Sequence, residues 1–461
     1  MFDKKIYMAR RAQLKKDLKG GIVILPANEE ASCNYADNTY PFRQDSNFLY
    51  FFGLQQADMV GVLDLDSDTD WIYADDLTMD DIIWMGHLPT VQETAASVGV
   101  TNVGPIKDLV DLLHKATLSR RKVHFVSPYR MRIAVKLSAW LSFPLAKIKE
   151  NQSVDLINAI ISQRSIKGRE EIQEIEQAML VAHQMHTLAM RMCKPGTYEY
   201  QIAGAMEGVA LSHYGSMSFP AIVSMNGQTL HNHDHSKILK EGRMMVADVG
   251  AEVHSHYCSD VTRTTPVGGK FNSRQKDIYE VVLKANTTTI ETLKPGLPYR
   301  DYHIEACKII ANGLKDLGIM KGDIDEAVSL GAHAMFMPHG LGHMMGLDVH
   351  DMENMGENLF GYDQEVKRSD QFGLSYLRLG RRLQPNFVLT VEPGIYFIPA
   401  LIDLWKSQDK FINFINYDKL DSYRDFGGIR IEDDVIISEK GCNVLGPRIP
   451  KTVKEIEDFC L

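Results

Sequence analysis

Apolar and polar positions along this chain fall into blocks whose period changes several times. Up to about residue 150, short apolar runs alternate with helical stretches, the pattern of an α/β layer. The runs at 21–25 (GIVIL), Phe48–Phe52, Met59–Leu65 and Val123–Val126 predict strands, and Ile106–Leu118 and Met131–Leu141 predict helices. The stretch Tyr40–Phe48 mixes aromatic and polar residues, as would a loop reaching toward an active site or a packed surface loop. Polar sequence at Asn151–Val154 and Gln163–Gly168 divides the chain into domains 1–160 and 161–461.

Beyond that boundary Ile172, Ile175, Met179, Ala182, Met185, Ala189 and Met192 share one stripe at helical spacing, and the methionines read as core packing. Lys194-Pro195-Gly196 ends this helix, and Glu199–His213 predicts the next. A second such pair follows: a helix over Gln275–Leu293, a stop at Lys294-Pro295-Gly296, then a helix over Tyr302–Leu317. Strand-like sequence with carboxylates comes after each pair, Asp248 and Asp260 first, Glu392 and Glu432 later. This predicts a duplicated helix-helix-strand unit whose halves fold around a shared site, unless the repeated tripeptide is coincidence. Residues 351–382 form a long polar connection, either a lid or substrate loop or a disordered insertion.

Within Met244–Gly268, two β-branched strands joined by a turn each deliver one aspartate, Asp248 and Asp260. Aspartate disfavours strand interiors, so the pair reads as metal ligands, a buried ion pair or an exposed strand face. His254, His256 and Cys258 alternate and predict an exposed strand edge rather than a soft-metal face. Downstream lie His339-Gly-Leu-Gly-His343, Asp348-Val-His350-Asp351, Thr390-Val-Glu392-Pro-Gly394 and Arg430-Ile-Glu432-Asp433-Asp434. Two aspartates, a histidine and two glutamates would make a carboxylate-rich site for two divalent ions.

Composition narrows the field. A chain of 461 residues, 44% hydrophobic and 24% charged, is an ordinary globular protein too long for one core. A formal net charge of -10 argues against nucleic acid or an anionic membrane as partner. None of the six cysteines forms a CxxC pair, which fits reduced thiols in a cytoplasmic protein. The charged N-terminus lacks an apolar signal region, and Gly21–Pro26 is too short to span a membrane.

Taken together, Ala247–Thr265, Pro338–Asp351, Leu383–Phe397 and Gly427–Asp434 resemble the metal-dependent Xaa-Pro peptidases, the prolidases and aminopeptidases P. The resemblance implies an N-terminal α/β domain and an α+β pita-bread catalytic domain with pseudo-twofold duplication. It implies Asp248, Asp260, His343, Glu392 and Glu432 as ligands of two Mn2+ ions, with Co2+ or Zn2+ able to substitute, Asp260 and Glu432 bridging. Glu392 matches the family's general base, and His231, His339 and His350 match substrate-facing positions, with His233 or His235 as alternatives to His231. Arg430 approaches the site two residues before Glu432, and Arg378 matches the arginine that clamps a dipeptide's carboxylate in prolidases. The segment PFRQDSNFLYFFG is more typical of aminopeptidase P. The resemblance thus implies a homodimeric Xaa-Pro dipeptidase acting on proline-containing dipeptides or short peptides, with aminopeptidase P as the alternative. A non-catalytic pita-bread binding module would be expected to have lost ligands that are present here. The Asp248–Asp260 spacing is slightly long for the family. Asn386 stands where glycine is commoner, and asparagine also tolerates a left-handed backbone.

Overall fold

The computed structural model describes residues 2–460, which divide into two compact units. One comprises the chain through Arg164 with Glu353–Leu359, and the other comprises Ser165–Met352 with the chain from Phe360 onward.

The first unit is built on a mixed five-stranded sheet. Ile22–Pro26 and Val60–Asp64 pair antiparallel at its centre, Val60–Asp64 pairs antiparallel with Thr69–Tyr73, and short parallel strands Asn102–Gly104 and Val123–His124 form the edges. Helices Ile106–Leu118 and Met131–Leu141 stand where their periodicity predicts, and Leu109, Leu113 and Leu137 pack on Ile22, Ile24 and Val62. The predicted strand at Phe48–Phe52 is instead part of a buried helix, Ser46–Phe52. Asp45 caps it by accepting the N–H groups of Asn47 and Phe48, at 2.9 and 3.0 Å, and Gly53 ends it in a left-handed conformation. A short run that is apolar on every side has no period of its own, so the flanking caps decide. In the preceding loop Gln44 is fully buried, accepting the Asn28 N–H at 2.7 Å and the Asp45 N–H at 2.9 Å.

The second unit contains the duplication. Helices α1 (Arg169–Met192) and α2 (Glu199–Ser212) precede a sheet of β1 (Ile222–Ser224), β2 (Met244–Val249) and β3 (Val261–Pro266), in the order β3-β2-β1. Helices α3 (Ser273–Thr292) and α4 (Tyr299–Asp316) precede β4 (Val388–Val391), β5 (Gly394–Tyr396), β6 (Gly428–Arg430), β7 (Asp433–Ile437) and β8 (Cys442–Val444). There β4-β7-β8 form a second sheet, and β5 pairs with β6. The two Lys-Pro-Gly stops repeat in their bonding as well as their sequence. Gly196 donates to the Leu239 carbonyl and Gly296 to the Leu383 carbonyl, both at 2.9 Å. Bridges Tyr198–Ile238 and Pro298–Arg382 follow each. That match in hydrogen bonding makes coincidence of the tripeptide untenable.

On α1 the middle of the stripe is core, Ile175, Met179, Ala182, Met185 and Ala189 being buried and Ile172 and Met192 half-buried at its ends; Met185 and Ala189 pack with Ile202, Met206, Met245 and Ala247. The His254–Cys258 segment corrects an expectation. It is a turn, with His256 at φ 69° and its ring bonded to Glu252, and Cys258 is 1% exposed. The connection 351–382 is irregular with short turns at Glu353–Met355, Glu357–Phe360 and Leu374–Tyr376.

Candidate metal centre

Strands β2 and β3 pair in register with Asp248 opposite Thr262, and every residue of both is buried. Asp260 immediately precedes β3, so the two aspartates approach the same end of the pair. The HGLGH segment lies against β4. Thr390 donates its N–H to the His343 carbonyl at 3.0 Å, and Glu392 donates to the Leu341 carbonyl at 2.8 Å. Gly342 permits this contact, because a Cβ there would sit 2.1 Å from the Thr390 carbonyl oxygen. His343 is thereby carried beside Glu392. Its Nδ1–H donates to the Met344 carbonyl at 3.0 Å, leaving Nε2 as the lone pair, 3.4 Å from Asp260 Oδ2 and 3.7 Å from Glu392 Oε1.

The acidic triplet Glu432-Asp433-Asp434 is divided by strand alternation. Glu432 turns toward the aspartates, accepting the Thr262 hydroxyl at 2.6 Å. Asp433 turns away, between Arg263 at 2.7 Å and Lys451 at 2.6 Å, and against the cost of its burial these cations hold its pKa far below the usual range. Asp434 turns back and accepts the Asp260 N–H at 2.9 Å.

Oxygens of Asp248, Asp260 and Glu432 lie within 4.8 Å of one another, as do ligand atoms of His343, Glu392 and Glu432, and of Asp260, His343 and His350. Burial first, then mutual repulsion, pushes Asp260 and Glu432 well above normal carboxylates, and burial also raises Glu392. Oδ1 of Asp248 is buried without a hydrogen-bond partner. Crowded, dehydrated carboxylates beside an imidazole nitrogen fit hard divalent cations.

A cavity of about 610 Å³ opens over this cluster. Phe219, Pro220, Phe372 and Tyr376 give it apolar walls, while His231, His233, His339, His350, Arg378 and Arg430 supply polar groups. The structure therefore brings together all the predicted site residues. His231 and His233 both line it, whereas His235 bonds the Ala221 carbonyl at 3.1 Å. His350 stacks on His343 with centroids 3.8 Å apart.

Arg430 and His339 are more constrained than their positions in sequence convey. Arg430 is buried and donates to Asp248, to the Thr262 hydroxyl at 3.0 Å and to the Tyr396 hydroxyl at 3.0 Å. Tyr396 in turn donates to His339 Nε2 at 2.9 Å, and His339 Nδ1–H donates to the Gly340 carbonyl at 2.7 Å. Burial and the nearby Arg430 lower His339 to about 3, so its ring is neutral. Sequence reasoning missed Tyr396, Thr262 and Asp434. Only Asp434 left a signal, its two-residue offset from Glu432.

Comparison with known proteins shows the family. Residues 173–439 match the model of metallopeptidase family M24, and residues 7–124 match that of the aminopeptidase P N-terminal domain. The chain is 32% identical over 453 residues to the Xaa-Pro dipeptidase of Homo sapiens, covering 95% of this chain and 88% of the relative. It is 31% identical over 462 residues to a probable Xaa-Pro aminopeptidase of Aspergillus clavatus, covering 98% and 95%. Among solved structures, Escherichia coli aminopeptidase P with the inhibitor Pro-Leu aligns with a TM-score of 0.80 and 28% identity, covering 100% of this chain and 98% of that one. The aminopeptidase PepP of Pseudomonas aeruginosa aligns with a TM-score of 0.81 at 27% identity and the same coverage.

Proposed function

The chain belongs to metallopeptidase family M24, and from that premise we propose that it is an Xaa-Pro dipeptidase, hydrolysing the bond before proline in short peptides. The observation that carries this reading is one cavity holding both the carboxylate–imidazole cluster and Arg378, with Phe219, Phe372 and Tyr376 as apolar surface for a pyrrolidine ring.

In this proposal Asp248, Asp260, His343, Glu392 and Glu432 would hold two Mn2+ ions, Co2+ or Zn2+ being substitutes. When bound, such ions polarise the scissile carbonyl and acidify the attacking water. The bond before proline is a tertiary amide without an N–H, so the enzyme's residues must orient it through its other groups. Glu392 accepts the proton of the attacking water and passes it to the leaving nitrogen. His350 and His231 contact the substrate and steady the charge that develops on the carbonyl oxygen. His339 has both ring nitrogens engaged, and Arg430 has three acceptors, so both act by holding the site in shape. Arg378 pairs with the terminal carboxylate of the dipeptide. A homodimer is part of the same proposal.

Aminopeptidase P activity on longer peptides is the second reading, favoured by residues 7–124 and by the solved neighbours. Manganese-loaded protein assayed on Ala-Pro and Ala-Pro-Ala side by side, with a chelated control, separates the two. Cleavage of the dipeptide alone is the expected result. Preference for the tripeptide would establish the second reading, and absence of metal-dependent cleavage of either would overturn both.

A further inference from the structure

Away from the carboxylate cluster, a second group of metal-binding side chains lies in the core. On α4, His303 and Cys307 are four residues apart and so share one face. His333 arrives from the short 3-10 turn Ala332–Met335. One ligand atom of each lies within 4.8 Å of the others, and all three residues are buried, at 1%, 1% and 4% exposure. We propose that His303, Cys307 and His333 form a second metal site, for a soft monovalent ion of the Cu+ class.

The geometry suits coordination. Cys307 Sγ stands 3.6 Å from His303 Nε2. Metal–sulfur and metal–nitrogen bonds of about 2.3 and 2.0 Å, at tetrahedral or trigonal angles, place the two ligand atoms about 3.5–3.8 Å apart. The rings of His303 and His333 meet edge-on, with centroids 6.4 Å apart. Neither ring nitrogen of His333 makes a hydrogen bond of normal geometry, nor does Nδ1 of His303. Buried imidazoles ordinarily find well-aligned partners, so leaving these poorly satisfied, with only the Val328 carbonyl near His333, is costly unless a ligand joins them. Both rings are ready to coordinate as neutral bases. Burial and then His333 lower His303 to about 3, and burial lowers His333 to about 4 despite the Val328 carbonyl.

Charge selects the ion. The group contains one thiol, two neutral imidazoles and no carboxylate. A thiolate exactly offsets one positive charge, so a monovalent ion gives a neutral complex in this dry position, whereas a divalent ion would leave an uncompensated buried charge. Three donors also satisfy a low-coordinate soft ion, while zinc would require a fourth. Binding displaces the Cys307 thiol proton, which burial holds tightly, so affinity rises with pH. The catalytic cluster, rich in carboxylate oxygen, prefers harder ions, so the two sites are distinguished by chemistry. An ion here would tie α4 to the segment leading into Pro338 and His339.

The test uses manganese-loaded protein with Cys33→Ser, because Cys33 is exposed and would bind copper adventitiously. It is titrated anaerobically with Cu+ against a chromogenic Cu+ chelator, and the bound copper is examined by X-ray absorption. One ion per chain, with one sulfur and two nitrogen neighbours, is expected. Cys307→Ala and His333→Leu, each checked for its far-ultraviolet dichroism, should weaken retention by more than about 100-fold, beyond the loss typical of an outer-shell change. Equal retention in either folded variant, a copper shell without sulfur, or no retention by the parent would overturn the proposal.

Discussion

Tyr396 joins two functional groups: it accepts from Arg430 and donates to His339, and Arg430 also holds Asp248. Removing its hydroxyl leaves a buried guanidinium N–H and a buried imidazole nitrogen each short of a partner. Tyr396→Phe should therefore lower stability by about 1–3 kcal/mol, the usual cost of an unsatisfied buried polar group. Urea denaturation measures this, and unchanged divalent-metal content would confirm that the carboxylate cluster is intact. Arg378 calls for a kinetic measurement. As a carboxylate clamp its charged hydrogen bonds contribute about 1.5–3 kcal/mol, so Arg378→Met should raise KM for Ala-Pro about 10–100-fold and leave Ala-Pro-Ala nearly unaffected. An equal effect on both peptides would remove Arg378 from the recognition of substrate length.

Among the elements, the helix Val453–Cys460 carries a pH-dependent contact in its first turn. Glu455 accepts the N–H groups of Lys451 and Thr452, at 3.1 and 3.0 Å, and its own N–H donates to the Thr452 hydroxyl at 3.1 Å. Partial burial opposes ionisation, but these donors and Arg448 outweigh it and lower Glu455 from 4.5 to about 2. A depressed carboxylate contributes stability that is present above its unfolded value and lost as pH falls through its folded one. Between pH 4.5 and about 2 the parent should lose this contribution, while Glu455→Gln should start less stable and show a shallower acid slope in a pH series of denaturation curves. The same capping logic shows which elements sequence could disclose. Ile106–Leu118 and Met131–Leu141 have a clear helical period and were legible. Phe48–Phe52 has none, and its caps Asp45 and Gly53 held the answer. Asp248, Asp260, His343, Glu392 and Glu432 stood out as acids or imidazoles in apolar or glycine-flanked contexts. Tyr396 and Thr262 are ordinary strand residues whose bonding partners lie far away in sequence. His303 and Cys307 share a helix face at four-residue spacing, but His333 joins them only through the packing of α4 on a later turn, which no local pattern reveals.

At the scale of the whole molecule, duplication explains why such a cluster can exist. Each helix-helix-strand half contributes carboxylates from strand ends, and neither half alone assembles the set: Asp248 and Asp260 come from the first, Glu392 and Glu432 from the second. Closing the halves brings like charges into a buried space, where Asp260 and Glu432 resist ionisation and Arg430 is the cation bonded to Asp248. Divalent ions should therefore stabilise the closed arrangement as well as serve the reaction. An ion that binds only the folded state adds RT ln(1 + [L]/Kd), about 2.7 kcal/mol at a hundredfold excess over Kd. The Tm of chelator-treated protein should rise progressively with added Mn2+, by several degrees near that excess. Asp260→Asn, which lessens the repulsion but removes a proposed ligand oxygen, should unfold at a higher temperature than the parent without metal and respond little to Mn2+. If the parent's Tm were indifferent to Mn2+ while hydrolysis still required it, the ions would be bound too weakly to hold the halves together. The closed cluster would then have to be stabilised by the protein's own hydrogen bonds, chiefly those of Thr262, Arg430 and the Asp260 N–H.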